Sequence, residues 1–171
     1  MENKIRYKMV YPHTELGKFV ILSNGEQITA IFIEEIEKLS ADLVDGAALP
    51  VLQTAVAWLN AYFAGQKPDP YALPLFIKGT AFQQLVWKRL LQIPYGETVS
   101  YGQLAAELAV QTGKQRMSAQ AIGGAVGRNP ISIVIPCHRV IGANGRLVGY
   151  ASGLERKRWL LQHETGNNWN I

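Results

Sequence analysis

The sequence predicts an α+β fold in two parts, a small α/β unit over residues 1–75 and a mostly helical unit over residues 76–171. Three observations carry that expectation. Strand-like patterning fills the first 35 residues, helical spacing with capping signals dominates after residue 80, and three prolines fall within residues 67–74.

In the first unit Tyr7 and Met9 alternate with polar neighbours, Phe19-Val20-Ile21-Leu22 is a short apolar run, and Ile28 to Ile33 follows it. Asn24-Gly25 lies between the last two, a dipeptide whose tolerance of positive φ suits a tight hairpin. Leu52, Ala55, Val56, Leu59, Tyr62 and Phe63 then recur at helical spacing, and Gly65 stops that helix. Lys67 to Pro74 reads as a linker or an extended edge segment.

In the second unit Thr80-Ala81-Phe82-Gln83 has the form of a capping box, followed by Phe82, Leu85, Val86, Leu90 and Ile93 on one face. Ser100-Tyr101-Gly102-Gln103 is a second such box. After a polar loop, Ser118 is a good N-cap for a helix through about Arg128. Two short helices joined by a turn suggest a helix-turn-helix. The second of them is nearly bald, with Ala119, Ala121, Gly123, Gly124, Ala125 and Gly127, and each interior glycine costs about 1 kcal/mol relative to alanine. Either close packing inside the protein or close approach of an outside surface would account for it. Ile131 to Ile135 reads as a buried strand, Asn144-Gly145 signals a hairpin returning to Tyr150 like a wing, and a last helix runs from Leu154 to about Glu164.

At 171 residues, 48% apolar and 18% charged, the chain is composed like an ordered globular protein. No apolar run approaches the ~20 residues of a membrane span, and the N-terminus lacks a compact apolar signal, so a cytoplasmic protein without membrane partners is expected. One cysteine excludes an internal disulfide, and His13, His138 and His163 are too scattered for a structural zinc site; neither metal nor cofactor is expected. Charge divides unevenly. Residues 1–75 carry six Lys/Arg against nine Asp/Glu, net −3, and residues 76–171 carry eleven against four, net +7. A basic half suits a polyanion-binding module, or simply a solvated basic surface.

Cys137 follows an apolar run and Pro136 and precedes His138. A neighbouring base or cation converts a thiol into a nucleophile by lowering its pKa, yet a lone cysteine also serves as an inert core residue. Both readings stand on these residues alone.

The run Pro136-Cys137-His138-Arg139-Val140, preceded by Asn129-Pro130, resembles the signature of the O6-alkylguanine-DNA alkyltransferases, also called methylated-DNA–protein-cysteine methyltransferases. Phe82 to Trp87, Ile93 to Tyr101, Ile122 to Ala125 and Trp159 to Glu164 fit the same family in order, covering about residues 76–164. The resemblance implies a ribonuclease-H-like antiparallel sheet in the first unit and a winged-helix-like second unit. It also implies direct reversal of O6-alkylguanine, and of O4-alkylthymine, in duplex DNA. The helix-turn-helix would grip the minor groove and the damaged base would be flipped into a pocket.

By the same resemblance Cys137 takes the alkyl group, His138 removes the thiol proton through water, and Glu164 holds His138. Tyr101 donates a proton to the departing purine, and Asn129 braces the turn under the active-site strand. Gln120, Ala121 and Arg128 lie on the DNA-contacting helix, Val140 and Ser152 read the guanine edge, and Tyr150 walls the pocket. The thioether product is not hydrolysed, so each molecule acts once, as a monomer, and is consumed.

Three departures from the family pattern stand out. Gln120 occupies the position of an arginine thought to fill the gap left by the flipped base, which implies altered DNA gripping. The loop from Val110 to Met117 is a few residues longer than usual and brings Lys114 and Arg116. The Cys and His ligands of zinc-stiffened relatives are absent. Two rival readings are a non-catalytic lesion binder, which retention of Cys137, His138 and Glu164 disfavours, and a thiol-sensing helix-turn-helix regulator, for which no effector domain is visible.

Overall fold

The computed structural model describes residues 6–33 and 36–170. The chain divides into two compact units, residues 1–78 with 130–132, and residues 79–129 with 133–171.

The first unit is a four-stranded sheet with one long helix. Strands β1 (Tyr7–His13), β2 (Gly17–Ser23) and β3 (Ile28–Ile33) form an antiparallel meander. The β2–β3 connection falls on Asn24-Gly25, as the turn chemistry predicts, with Gly25 at φ 103°. The short strand β4 (Val44–Asp45) joins the far edge parallel to β1, giving the order β3-β2-β1-β4. The expected antiparallel sheet is therefore mixed. β4 is two exposed residues with no pattern of their own; pairing to β1 alone makes them a strand.

Helix α1 (Pro50–Phe63) starts with Pro at its first position, where the missing N–H costs nothing. It buries Leu52, Ala55, Leu59 and Tyr62 at helical spacing, in a unit whose sheet buries Phe19, Val20, Ile21, Ile28 and Ile31. The proline-rich stretch takes the extended-edge option. Ile28 N donates to Pro74 O and Phe76 N to Ile28 O, while Trp58 Nε1 donates to Asp69 O. Residues 130–132 complete this unit by pairing with β3: Ile31 N donates to Pro130 O and Ser132 N to Ile31 O.

The second unit is helical. Helix α2 (Ala81–Leu90) and helix α3 (Tyr101–Gln111) each begin with a complete capping box, Thr80 with Gln83 and Ser100 with Gln103. Ser118 caps helix α4 (Ala119–Gly127) by accepting from Gln120 N and Ala121 N. Leu104 and Leu108 of α3 and Ile122 and Val126 of α4 are buried, and Trp87 of α2 donates from Nε1 to Ala125 O at 2.9 Å. Helix α5 (Leu154–Thr165) closes the unit and ends at Gly166 in the left-handed region.

Two sequence expectations fail here. Residues 131–135, buried except for half-buried Ser132, form no regular strand, because Ile133 turns the backbone to φ 71°. A β-branched residue in that region costs roughly 1–3 kcal/mol and persists only where its surroundings over-determine it. There is also no wing hairpin. Strand β6 (Val140–Ile141) pairs instead in parallel with β5 (Val99–Ser100), and Ala143–Gly145 makes a tight helical turn with Asn144 at φ 58°. The Asn-Gly signal marked the turn correctly, but residues 147–150 return without ladder bonds.

Candidate active site and nucleic-acid interface

Cys137, His138 and Arg139 form one helical turn leading into β6, all buried. The turn hides Cys137 to 7% exposure and His138 completely. Asn129, just past α4, donates from Nδ2 to Ile135 O at 2.7 Å and to Cys137 Sγ at 3.1 Å. The amide thus spans the reversal made at Ile133 and positions the sulfur from its far side.

The Glu164 side chain, fully buried on α5, gathers the remaining groups. Its Oε1 lies 2.6 Å from His138 Nε2, and its two oxygens accept from Arg139 Nε at 2.8 Å and from the Arg139 terminal nitrogen at 3.0 Å. Gly96 N donates to Oε2 at 3.0 Å, and Arg139 also donates to Ile93 O. Burial would raise the Glu164 pKa, but the His138 ring and the Arg139 guanidinium outweigh it and hold the carboxyl well below the usual range. Burial lowers the pKa of His138 against the pull of Glu164. The consistent state is an ionised Glu164 neutralised by Arg139, beside a neutral His138 that donates from Nε2 and keeps Nδ1 as the accepting nitrogen.

Burial pushes the Cys137 thiol up, opposed by the Asn129 amide and the charge of Lys157. The resting form is therefore the thiol. Tyr101, the first residue of α3, directs its hydroxyl to Val148 O at 3.3 Å and Gly149 O at 3.4 Å. Burial, with Cys137 nearby, brings its pKa up to about 12. Burial also raises Tyr150 well above its ordinary value. Val140 lies buried in β6, and Ser152 O accepts from Arg156 just ahead of α5.

The structure forms two bonded sets, Asn129 with Cys137 and His138 with Glu164 and Arg139, joined through the chain at Cys137-His138, with Tyr101 on the Val148–Gly149 carbonyls. Gln120 and Ala121 on α4 and Arg128 just past its end are exposed and belong to neither set. The bald helix now resolves. A Cβ added at Gly124 or Gly127 would meet nothing, and one at Gly123 only the Tyr101 ring at ordinary contact distance. Internal packing does not require these glycines. A 670 Å³ groove beside α4 is lined by Ala106, Val110, Lys114, Arg116 and Gln120. Two residues escaped sequence reasoning. Arg139, quoted there only as part of the motif, is the counter-charge of Glu164. Lys157 was not singled out, although it shares the inward helical phase of Leu160, Leu161 and Glu164.

A mixed sheet unit joined to a helix-turn-helix unit with a buried thiol at its centre defines a class: two-unit helix-turn-helix proteins with a cysteine site. Comparison with known proteins narrows it. The 6-O-methylguanine DNA methyltransferase DNA-binding domain matches residues 81–166, and the ribonuclease-like domain of the same enzymes matches residues 5–77. A methylated-DNA–protein-cysteine methyltransferase of Mycobacterium bovis is 53% identical over 110 residues, 64% of this chain and 63% of that protein. The match thus spans less than two thirds of the mycobacterial relative. One of the same name from Haemophilus influenzae is 43% identical over 159 residues, 92% of this chain and 86% of the relative. The crystal structure of Mycobacterium tuberculosis OGT in complex with DNA is similar at TM-score 0.74 and 41% identity, covering 95% of this chain and 94% of that one. The chain belongs to the 6-O-methylguanine DNA methyltransferase family.

Proposed function

We propose that the chain repairs duplex DNA by direct reversal, moving the alkyl group of O6-alkylguanine, and of O4-alkylthymine, onto Cys137. The observation that carries this reading is the buried Cys137 sulfur held by Asn129, next to a neutral His138 oriented by Glu164 and Arg139. His138 Nδ1 takes the thiol proton through a water molecule. Sγ then attacks the alkyl carbon in line, the S–C bond forming as the C–O6 bond breaks. Tyr101, protonated throughout the physiological range, gives up its long bonds to Val148 and Gly149 and donates to the departing purine, so the base leaves neutral. The proton that His138 took from the thiol then passes back to the Tyr101 phenolate, which restores both groups and balances the reaction.

The sheet unit, drawn at residues 1–75 from the sequence and reaching residue 78 with 130–132 in the fold, serves as the ribonuclease-like domain, and the helical unit, drawn at 76–171, as the DNA-binding and transfer domain. The exposed face of α4 enters the minor groove, with Gln120 at the gap left by the flipped base and Ala121 and Arg128 along the backbone. The Val140 carbonyl and Ser152 read the guanine edge, and Tyr150 walls the pocket. The protein acts as a cytoplasmic monomer; among the described residues no helix is long and apolar enough to cross a membrane. A thioether is a poor leaving group, so each molecule reacts once.

The test is an intact mass after incubation with a duplex holding one O6-methylguanine. The expected result is one methyl gained in place of one hydrogen, mapped to Cys137 and absent in Cys137→Ala. Tight binding without mass gain would instead identify a lesion binder.

Gly124→Ala separates stability from DNA binding. The added methyl relieves a helix glycine in open space, so thermal melting should rise by an amount equivalent to about 0.5–1 kcal/mol. The same methyl should weaken duplex binding several-fold, as measured by fluorescence anisotropy.

A further inference from the structure

Lys157 is completely buried on α5, among Leu160 and Leu161, and its partners are backbone carbonyls rather than a carboxylate. Its ammonium donates to Val140 O at 2.5 Å, Val148 O at 2.8 Å and Gly149 O at 3.2 Å, using all three of its hydrogens. Burying a cation without a counter-ion is expensive, and a methionine of similar shape would pack on this stripe at lower cost. Helix packing therefore does not account for a lysine here.

The acceptors are informative. Val148 O and Gly149 O are the same two carbonyls to which the Tyr101 hydroxyl donates, at longer distances of 3.3 and 3.4 Å. The ammonium also lies 5.8 Å from the centre of the Tyr101 ring. Val148 and Gly149 are exposed residues, and the buried ammonium holds both of their carbonyls whether or not the Tyr101 hydroxyl stays on them. With the ammonium already satisfying them, the hydroxyl leaves at little cost. The third bond, to Val140 O, ties the 148–149 segment to β6 through the ammonium.

We propose that Lys157 is a positioning residue for alkyl transfer: it holds Val148, Gly149 and Val140 by their carbonyls so that the Tyr101 hydroxyl is released to the purine. The inference rests on the alkyl-transfer reading above. It requires that Lys157 act through Tyr101, and that requirement can be measured.

The experiment is a double-mutant cycle with Lys157→Met and Tyr101→Phe, reading the single-turnover methyl-transfer rate at saturating O6-methylguanine duplex, with duplex affinity and melting temperature in parallel. Lys157→Met should slow transfer roughly tenfold to a hundredfold, with affinity within about twofold of native and a fall in melting temperature, from the Val140 carbonyl left without its donor, small enough that the protein stays folded in the assay. In the Tyr101→Phe background the same change should cost little further, because the hydroxyl it releases is already gone. Lys157→Gln, which keeps two amide hydrogens for the carbonyls, should recover part of the rate and carries the cycle if Lys157→Met does not fold. An unchanged rate in the single variant, a loss confined to affinity, or fully additive losses would overturn the proposal. Failure of the native chain to gain a methyl would overturn the alkyl-transfer reading itself.

Discussion

Glu164→Gln is expected to destabilise the protein by about 3–5 kcal/mol, because it leaves the buried Arg139 guanidinium without its counter-charge. The amide keeps one accepting oxygen but turns two N–H groups toward a carboxylate site that now receives from His138, Arg139 and Gly96. Urea titration at neutral pH measures the loss. Transfer should also slow roughly a hundredfold or more, since the donor from His138 Nε2 no longer faces a full negative charge and the accepting Nδ1 is no longer enforced. The acid limb supplies an independent signature. Glu164 has a folded pKa below its unfolded value, so its contribution is present above about pH 4.3 and is lost as pH falls from there toward the folded value. His138, buried neutral with a lowered pKa, contributes a further loss that begins as pH falls through its unfolded value of about 6.5. Glu164→Gln should abolish the first loss and keep the second, giving a shallower decline below about pH 4.

Asn129→Asp is the second large effect. The native amide donates from one nitrogen to both Ile135 O and Cys137 Sγ. A carboxylate there offers only acceptors to two acceptors, stranding the carbonyl and repelling the thiolate, whose formation the native bond favours. Transfer should fall by roughly a hundredfold to a thousandfold, the range for losing one preorganised donor at a developing charge. Stability should drop by about 1–3 kcal/mol. Asn129→Ala removes the donor without adding charge, and its smaller rate loss separates lost positioning from repulsion. Quench-flow transfer kinetics with both variants measure the difference.

The parts of the molecule legible in the sequence are those governed by near neighbours. Both capping boxes, the Ser118 cap and the Asn24-Gly25 turn involve partners within about a helical turn, and each formed as its residue types require. The misreadings have distant or backbone causes. Apolar spacing cannot reveal that Ile133 adopts positive φ, so residues 131–135 looked like a strand. β4 exists through pairing with β1, more than thirty residues earlier. Arg139 could not be assigned because Glu164 and Ile93 lie 25 and 46 residues away. The Gly96 amide that braces Glu164 carries no side chain to read. Lys157 was the one avoidable omission, since a lysine in phase with Leu160 and Leu161 faces inward whatever its flanking arginines suggest.

The seclusion of Cys137 has a consequence for how long the protein stays usable. If, as proposed, the molecule reacts once, it must not spend its single equivalent on whatever electrophile or peroxide diffuses past. At 7% exposure, with burial keeping the sulfur protonated, Cys137 offers passing oxidants little thiolate and little access. On the proposed function the sulfur is called on when a flipped base fills the pocket, and until then the protein is a stored reagent.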